Sequence, residues 1–204
     1  MSTPTGVTDP IDGRSARRDR NRTAVLDAVL ELFAEGNLSP SADEVARRSG
    51  VSLRSVYRYV ENSDDLIRAA VERRREQVAP LFEIDRLGEG PLAERIAVLC
   101  QTRVDAYDAI APTARASRAR AYTSSVLREQ LDAASGLMRD QVVAQFAPEL
   151  QAMDASSRAA VLAAVDVLCL PETIEHYRQR RRLTNRETAT MLGGAIGRLF
   201  EPAT

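Results

Sequence analysis

With one histidine, two cysteines and no lysine among 204 residues, the chain has few side chains able to carry covalent or metal chemistry. All 28 of its strongly basic residues are arginines. A Schiff-base lysine and a phosphate-loop lysine are therefore impossible. Glu172 and His176 are four apart on one helix face, but no second histidine completes a ligand set. Cys100 and Cys169 stand at no metal or redox spacing and build no disulfide framework, which fits a reducing cytoplasm. The expectation is no metal, no cofactor and no catalytic centre. The chemistry left is that of arginine, a planar and always charged fork suited to paired contacts with guanine, phosphate and carboxylate.

These arginines are unevenly placed. Residues 14–60 hold nine of them against six acids, whereas residues 61–204 hold nineteen against twenty-one acids. Five fall within residues 14–22, and residues 45–60 have four with no acid at all. The net charge of −1 thus conceals a basic head on a mildly acidic body, the electrostatic outline of a nucleic-acid binder. The most apolar stretch, residues 159–170, is broken by Asp166, so no membrane span is expected. The first 22 residues lack an apolar block, which argues against a secretory signal.

The elements that position the basic head are legible from caps and periodicity. Residues 1–13, rich in Pro, Gly, Ser and Thr, read as a disordered tail. Val25, Val29, Leu32 and Phe33 define one face of a helix over 18–35, closed by Gly36. Ser41 and Glu44 form a capping box that opens a short helix over 42–48. Gly50 turns the chain, and Ser52 caps a third helix to about residue 60. A capped short helix, a glycine turn and a second capped helix make a helix-turn-helix. Val45, Val51 and Val56 face inward, leaving Ser52, Leu53, Arg54, Ser55, Tyr57, Arg58 and Tyr59 on or near the outer side. Arg54 suits guanine, Leu53 suits thymine methyls, and the hydroxyls and helix-end amides suit phosphates.

Residues 22–36 (RTAVLDAVLELFAEG), 41–46 (SADEVA) and 50–59 (GVSLRSVYRY) closely resemble the DNA-binding domain of TetR-family regulators, a match extending to Asp65 and Leu66. The resemblance implies an all-α fold: an N-terminal three-helix helix-turn-helix domain over 14–62, joined to a larger helical ligand-binding and dimerisation domain over 63–204. It implies a homodimer on a near-palindromic, double-stranded DNA operator, regulated by a small-molecule effector and acting most simply as a repressor. DNA contacts are expected from Arg17, Arg18, Ser41, Arg47, Arg48, Ser52, Leu53, Arg54, Ser55, Tyr57, Arg58, Tyr59 and Ser63. Two positions depart from the family. Ser63 stands where a phosphate-contacting lysine is usual, and the second helix carries the acidic Asp43, which together shift phosphate contact towards the arginine arm, Arg47, Arg48 and Arg58.

The body reads as helices over 92–110, 112–120, 123–146, a long one over 155–182 kinked at Pro171, and 186–200 opened by a second capping box at Thr184 and Glu187. Cys100, Arg103, Tyr107, Met138, Phe146 and His176 are the candidate pocket residues, Arg103 because a charge on an apolar face invites an anionic ligand or a buried acid. Val161, Leu162, Val165, Leu168 and Cys169, with Met191, Leu192, Ile196, Leu199 and Phe200, are expected to pair with a second copy as a four-helix interface, the small Ala163, Ala164, Gly193, Gly194 and Gly197 allowing close approach. Arg73 to Arg75 read as a solvated face or interdomain salt-bridge partners. The alternatives are an activator or partner-controlled regulator without a small-molecule ligand, a helical enzyme with a DNA-binding head, and an architectural DNA protein.

Overall fold

Caps set the beginnings of the helices. In the computed structural model, which describes residues 10–60 and 62–201, helix α1 (Pro10–Ala34) ends where Gly36 takes a left-handed conformation at φ 90°. It begins at Pro10, taking in the last residues of the stretch read as tail; residues 1–9 lie outside those described. Helix α2 (Ala42–Ser49) opens with the capping box, in which the Ser41 hydroxyl accepts from the Glu44 amide and the Glu44 carboxylate accepts from the Ser41 amide at 2.8 Å. Gly50, at φ 67°, closes it, and Ser52 caps α3 (Leu53–Tyr59). Asn62 caps α4 (Ser63–Val78) by accepting from the Asp65 amide at 2.9 Å.

The chain divides between Arg73 and Arg74 into two compact units, further along α4 than the 62/63 reading. The reason is packing: Leu66, Ile67 and Ala70 of α4 are buried with Val25, Val29, Phe33, Val45, Val51 and Val56. A bidentate pair from Arg73 to Asp27, at 2.6 and 2.9 Å, ties α4 to α1 inside the first unit. Arg73 is therefore a structural partner within the head.

In the second unit a 3₁₀ turn (Ala79–Phe82) precedes α5 (Leu92–Ala121), α6 (Ser125–Gln145), α7 (Ala147–Ala152), α8 (Ala155–Leu168), α9 (Pro171–Glu175), a π turn (His176–Arg180) and α10 (Asn185–Leu199). No strand occurs among the described residues. Helix α5 is central, packed against α6, α9 and α10. Two sequence-derived boundaries are corrected. Helix α5 runs unbroken through Pro112, because Ala111, Thr113, Ala116 and Ser117 are buried around it and that packing outweighs one missing backbone hydrogen bond. The long helix over 155–182 is instead three elements: α8 ends at Leu168, Leu170 is extended, and Pro171 starts α9, the position where its missing amide costs nothing.

One polar network pins this unit. Arg95, only 5% exposed, pairs with Glu149 through two nitrogens and donates to the carbonyls of Gly90 and Gln145. Fully buried Gln145 accepts from the Gly88 amide at 2.9 Å and donates to the Arg95 carbonyl at 2.8 Å. Every nitrogen of the Arg95 guanidinium is thus answered. At Gly88, φ is 80° and a Cβ would stand 2.9 Å from the Ala144 carbonyl oxygen, so only glycine fits this closure of the 83–91 loop.

Candidate functional site

The first site is built in the head. Val56 anchors α3 to the core, and this orientation leaves Arg54, Tyr57 and Arg58 exposed, with Leu53, Ser55 and Tyr59 less so. Tyr57 is 59% exposed, a large aromatic surface that the chain's own core does not use. Arg54 is exposed in the first turn of α3, and no described residue pairs with it. The Ser52 hydroxyl lies 3.0 Å from that of Ser55 while capping the helix. Arg58 lies over the Tyr59 ring, 5.4 Å from its centroid.

A concavity of about 510 Å³ joins this helix to α1, lined by Arg14, Arg17, Arg18, Asn21, Ser55, Arg58 and Tyr59. Four guanidiniums around one groove, with no acid in the lining, form a site for an anion such as a phosphate backbone. Arg17, Arg18, Ser55, Arg58 and Tyr59 are among the residues expected from sequence. Arg14 belongs to the arginine arm expected to contact phosphate, and Asn21 is the lining residue that sequence does not single out, an uncharged side chain inside the helix expected over 18–35.

Arg48 is the correction in the head. Its fork is closed on Glu35 by two contacts of 2.7 Å and reaches Glu31 at 3.3 Å. Hydrogen bonding from Arg48 holds the Glu35 carboxyl below its ordinary value. Arg48 therefore clamps α2 to α1, and its charge is neutralised there. Arg47 and Ser63 are exposed, and Ser41 is occupied in its capping box. Arg47 is left as the exposed cation of α2 outside that clamp.

The candidate pocket residues do not form one group. Phe146 is fully buried against Phe200, with ring centroids 5.0 Å apart, beside Arg95. His176 is exposed in the π turn, its ring edge-on to Tyr177, so it lines no enclosed space. Tyr107 is buried, its hydroxyl 3.4 Å from Arg115 and from Gln179. Arg103 and Met138 do meet: Nη2 reaches the Met138 carbonyl at 3.5 Å. Burial pushes the Cys100 thiol up to about 12 and that of Cys169 up to about 11, so both stay protonated and unreactive at neutral pH. No group of three or more His, Cys, Asp or Glu among the described residues could hold a metal ion.

The expected pairing surface is also redrawn. Val161, Val165, Leu192 and Ile196 lie in the chain's own core, with Leu162, Leu168, Cys169, Leu199 and Phe200 packed against it. Gly193 admits Ile96 of α5, a close approach within the chain. Of the large residues named, Met191 is the one well exposed, at 54%. The outward stripe is instead Ala160, Ala163, Val167 and Leu170, with Met191 and Gly194 on α10. Helix α8 is apolar on both faces, and its Val161 and Val165 side chains turn inward.

No helix among the described residues is long and apolar enough to cross a membrane. No family model matches the chain, and no curated protein matches its sequence. Solved structures do. A TetR-family transcriptional regulator from Streptomyces coelicolor superposes with a TM-score of 0.73 at 23% identity, over 89% of this chain and 80% of that one. A transcriptional regulator from Rhodococcus sp. Rha1 gives 0.69 at 19% identity, over 89% and 95%. The multidrug binding protein EbrR, complexed with imidazole, gives 0.60 at 17% identity, over 90% and 97%. With a small helix-turn-helix unit followed by a larger bundle centred on α5, the chain has the all-α fold of the TetR-family transcriptional regulators.

Proposed function

We propose that the chain is a TetR-family transcriptional regulator that binds operator DNA as a homodimer in the cytoplasm and is released by a small molecule. The observation that carries this reading is the head: α3 offers Arg54 and Tyr57 outward, beside a groove lined by four arginines. The N-terminal residues of such a helix read base edges in the major groove, while the groove's guanidiniums hold phosphates and fix register. The exposed stripes of α8 and α10 supply a self-complementary surface, and two-fold pairing matches a near-palindromic operator with half-sites roughly 34–36 Å apart. Helix α4 crosses the division between the units, so a ligand held in the second unit acts on the head through it, with a coupling on the order of 1–3 kcal/mol. The multidrug binding protein of the same fold, complexed with imidazole, supports a small-molecule effector.

The test is selection of DNA by the full chain from random duplexes, followed by competition against unselected DNA at matched salt. An enriched near-palindrome is expected; equal binding to both pools would refute sequence-specific regulation.

Two residue-level outcomes accompany it. Replacing Arg14, Arg17 and Arg18 together by Gln should flatten the slope of log K against log salt by about 0.9 for each phosphate no longer neutralised, measured by fluorescence anisotropy. An unchanged slope would show that the groove touches no DNA. Val167→Glu, at a position 59% exposed, should convert the dimer to monomer in light scattering without lowering helicity. A persistent dimer would place the pairing surface elsewhere.

A further inference from the structure

Helix α5 buries two arginines eight residues apart, and the fold treats them differently. Arg95 is answered at every nitrogen by Glu149, Gly90 and Gln145. Arg103 is 3% exposed, yet its Nε and Nη1 have no hydrogen-bond partner, and Nη2 has only the long contact to the Met138 carbonyl. No described carboxylate pairs with it. A buried guanidinium is retained where its charge is compensated, and an uncompensated one costs stability without return.

The surroundings of Arg103 supply no compensating charge. Cys100 and Cys169 are close enough to influence it, but burial keeps both thiols protonated. Above the guanidinium stands the Phe82 ring, 5.6 Å from its centroid. Phe82 is half-buried at the end of the 3₁₀ turn that follows α4 directly, and its carbonyl accepts from Gln141 at 2.7 Å. A π face attracts a cation but brings no net charge, so it leaves the Arg103 charge unneutralised.

We infer that Arg103 is the counter-ion for a small monoanionic ligand, a carboxylic acid with an apolar body, seated between α5, α6 and the 3₁₀ turn. One unanswered positive charge calls for one negative charge, which favours a carboxylate over a dianionic phosphate. The two free nitrogens and the second hydrogen of Nη2 offer the paired donors that a carboxylate accepts. Phe82 and Met138 suit an apolar remainder. Because Phe82 ends the turn that continues α4, displacing it acts on the helix that reaches the head. Only the name effector rests on the regulator reading; the anion site stands on the geometry of Arg103.

The experiment is thermal unfolding of the full chain and of Arg103→Met with acetate, octanoate, benzoate and phenylacetate, with the matching amides and inorganic phosphate alongside. At about a hundredfold excess over Kd, the best carboxylate should raise the native Tm by roughly 5–10 °C. The amides should leave it unchanged, and Arg103→Met should lose the response. Without ligand, Arg103→Met should melt no lower than the native chain, since it removes an unpaired charge from a buried place. The inference is overturned by any of four results: no carboxylate raises Tm, an amide or phosphate does as well, Arg103→Met keeps the response, or Arg103→Met melts well below native. Anisotropy on the selected DNA, run without ligand, separates the two readings: a chain that binds DNA yet ignores carboxylates loses only this inference, and the converse loses only the regulator.

Discussion

Glu149→Leu is expected to destabilise the second unit by about 3–5 kcal/mol, the usual consequence of removing one partner of a buried ion pair. The substitution leaves the Arg95 guanidinium, 5% exposed, beside the Phe146 ring with its anion gone. Leucine restores apolar volume but no charge, so the loss does not come from a cavity. The same pair sets a pH dependence. Hydrogen bonding from Arg95 holds the Glu149 carboxyl below its ordinary 4.5. A carboxylate with a depressed folded pKa contributes stability that is fully present above its unfolded value and is lost as pH falls through the folded one. Native stability should therefore fall below about pH 4.5. Glu149→Leu should start lower and show a shallower acid limb. Urea melts between pH 3 and 7 measure both; a variant within 1 kcal/mol of native would show that water already screens the partly exposed Glu149 side.

Much of the head is legible in the sequence because its signals are local. Capping boxes span four residues, left-handed glycines stop helices where they stand, and Val45, Val51 and Val56 fill one short-range core. What escapes there is long-range. Arg48 has the sequence context of a free cation beside Arg47, but Glu31 and Glu35, a helix away, claim its fork. In the body, the Arg95–Gln145–Glu149 network joins residues 50 or more positions apart, and no periodicity announces it. Helix α8 has two apolar faces, and spacing alone does not say which is buried. Pro112 reads as a break under a local rule, where tertiary packing decides the outcome. Arg103 stands out in the sequence for the right physical reason, a charge on an apolar face; which of ligand or acid answers it depends on neighbours that only the fold brings together.

Arg54→Ala is expected to reduce discrimination at one base pair of each half-site by about 1–3 kcal/mol, or roughly 5–150-fold, while weakening binding to unrelated DNA little. Arg54 follows the first residue of α3, where a recognition helix enters the major groove, and no described residue holds its fork. A bidentate guanine contact is specific because both donors match O6 and N7, which no other base pair presents in that pattern. Arg58 and the arm arginines differ in kind: they line a basic groove, so their loss should weaken all sequences alike and change the salt slope. Arg48→Ala provides the contrast within the same head. Its guanidinium is neutralised by Glu31 and Glu35, so it should lower Tm with no change in base preference. Selection of DNA by the three variants in parallel separates the roles: relaxed preference at one position for Arg54→Ala, uniform weakening for Arg58→Ala, and an unchanged sequence logo for Arg48→Ala. Uniform weakening by Arg54→Ala would instead assign this residue to phosphate and transfer base reading to Leu53 and Tyr57.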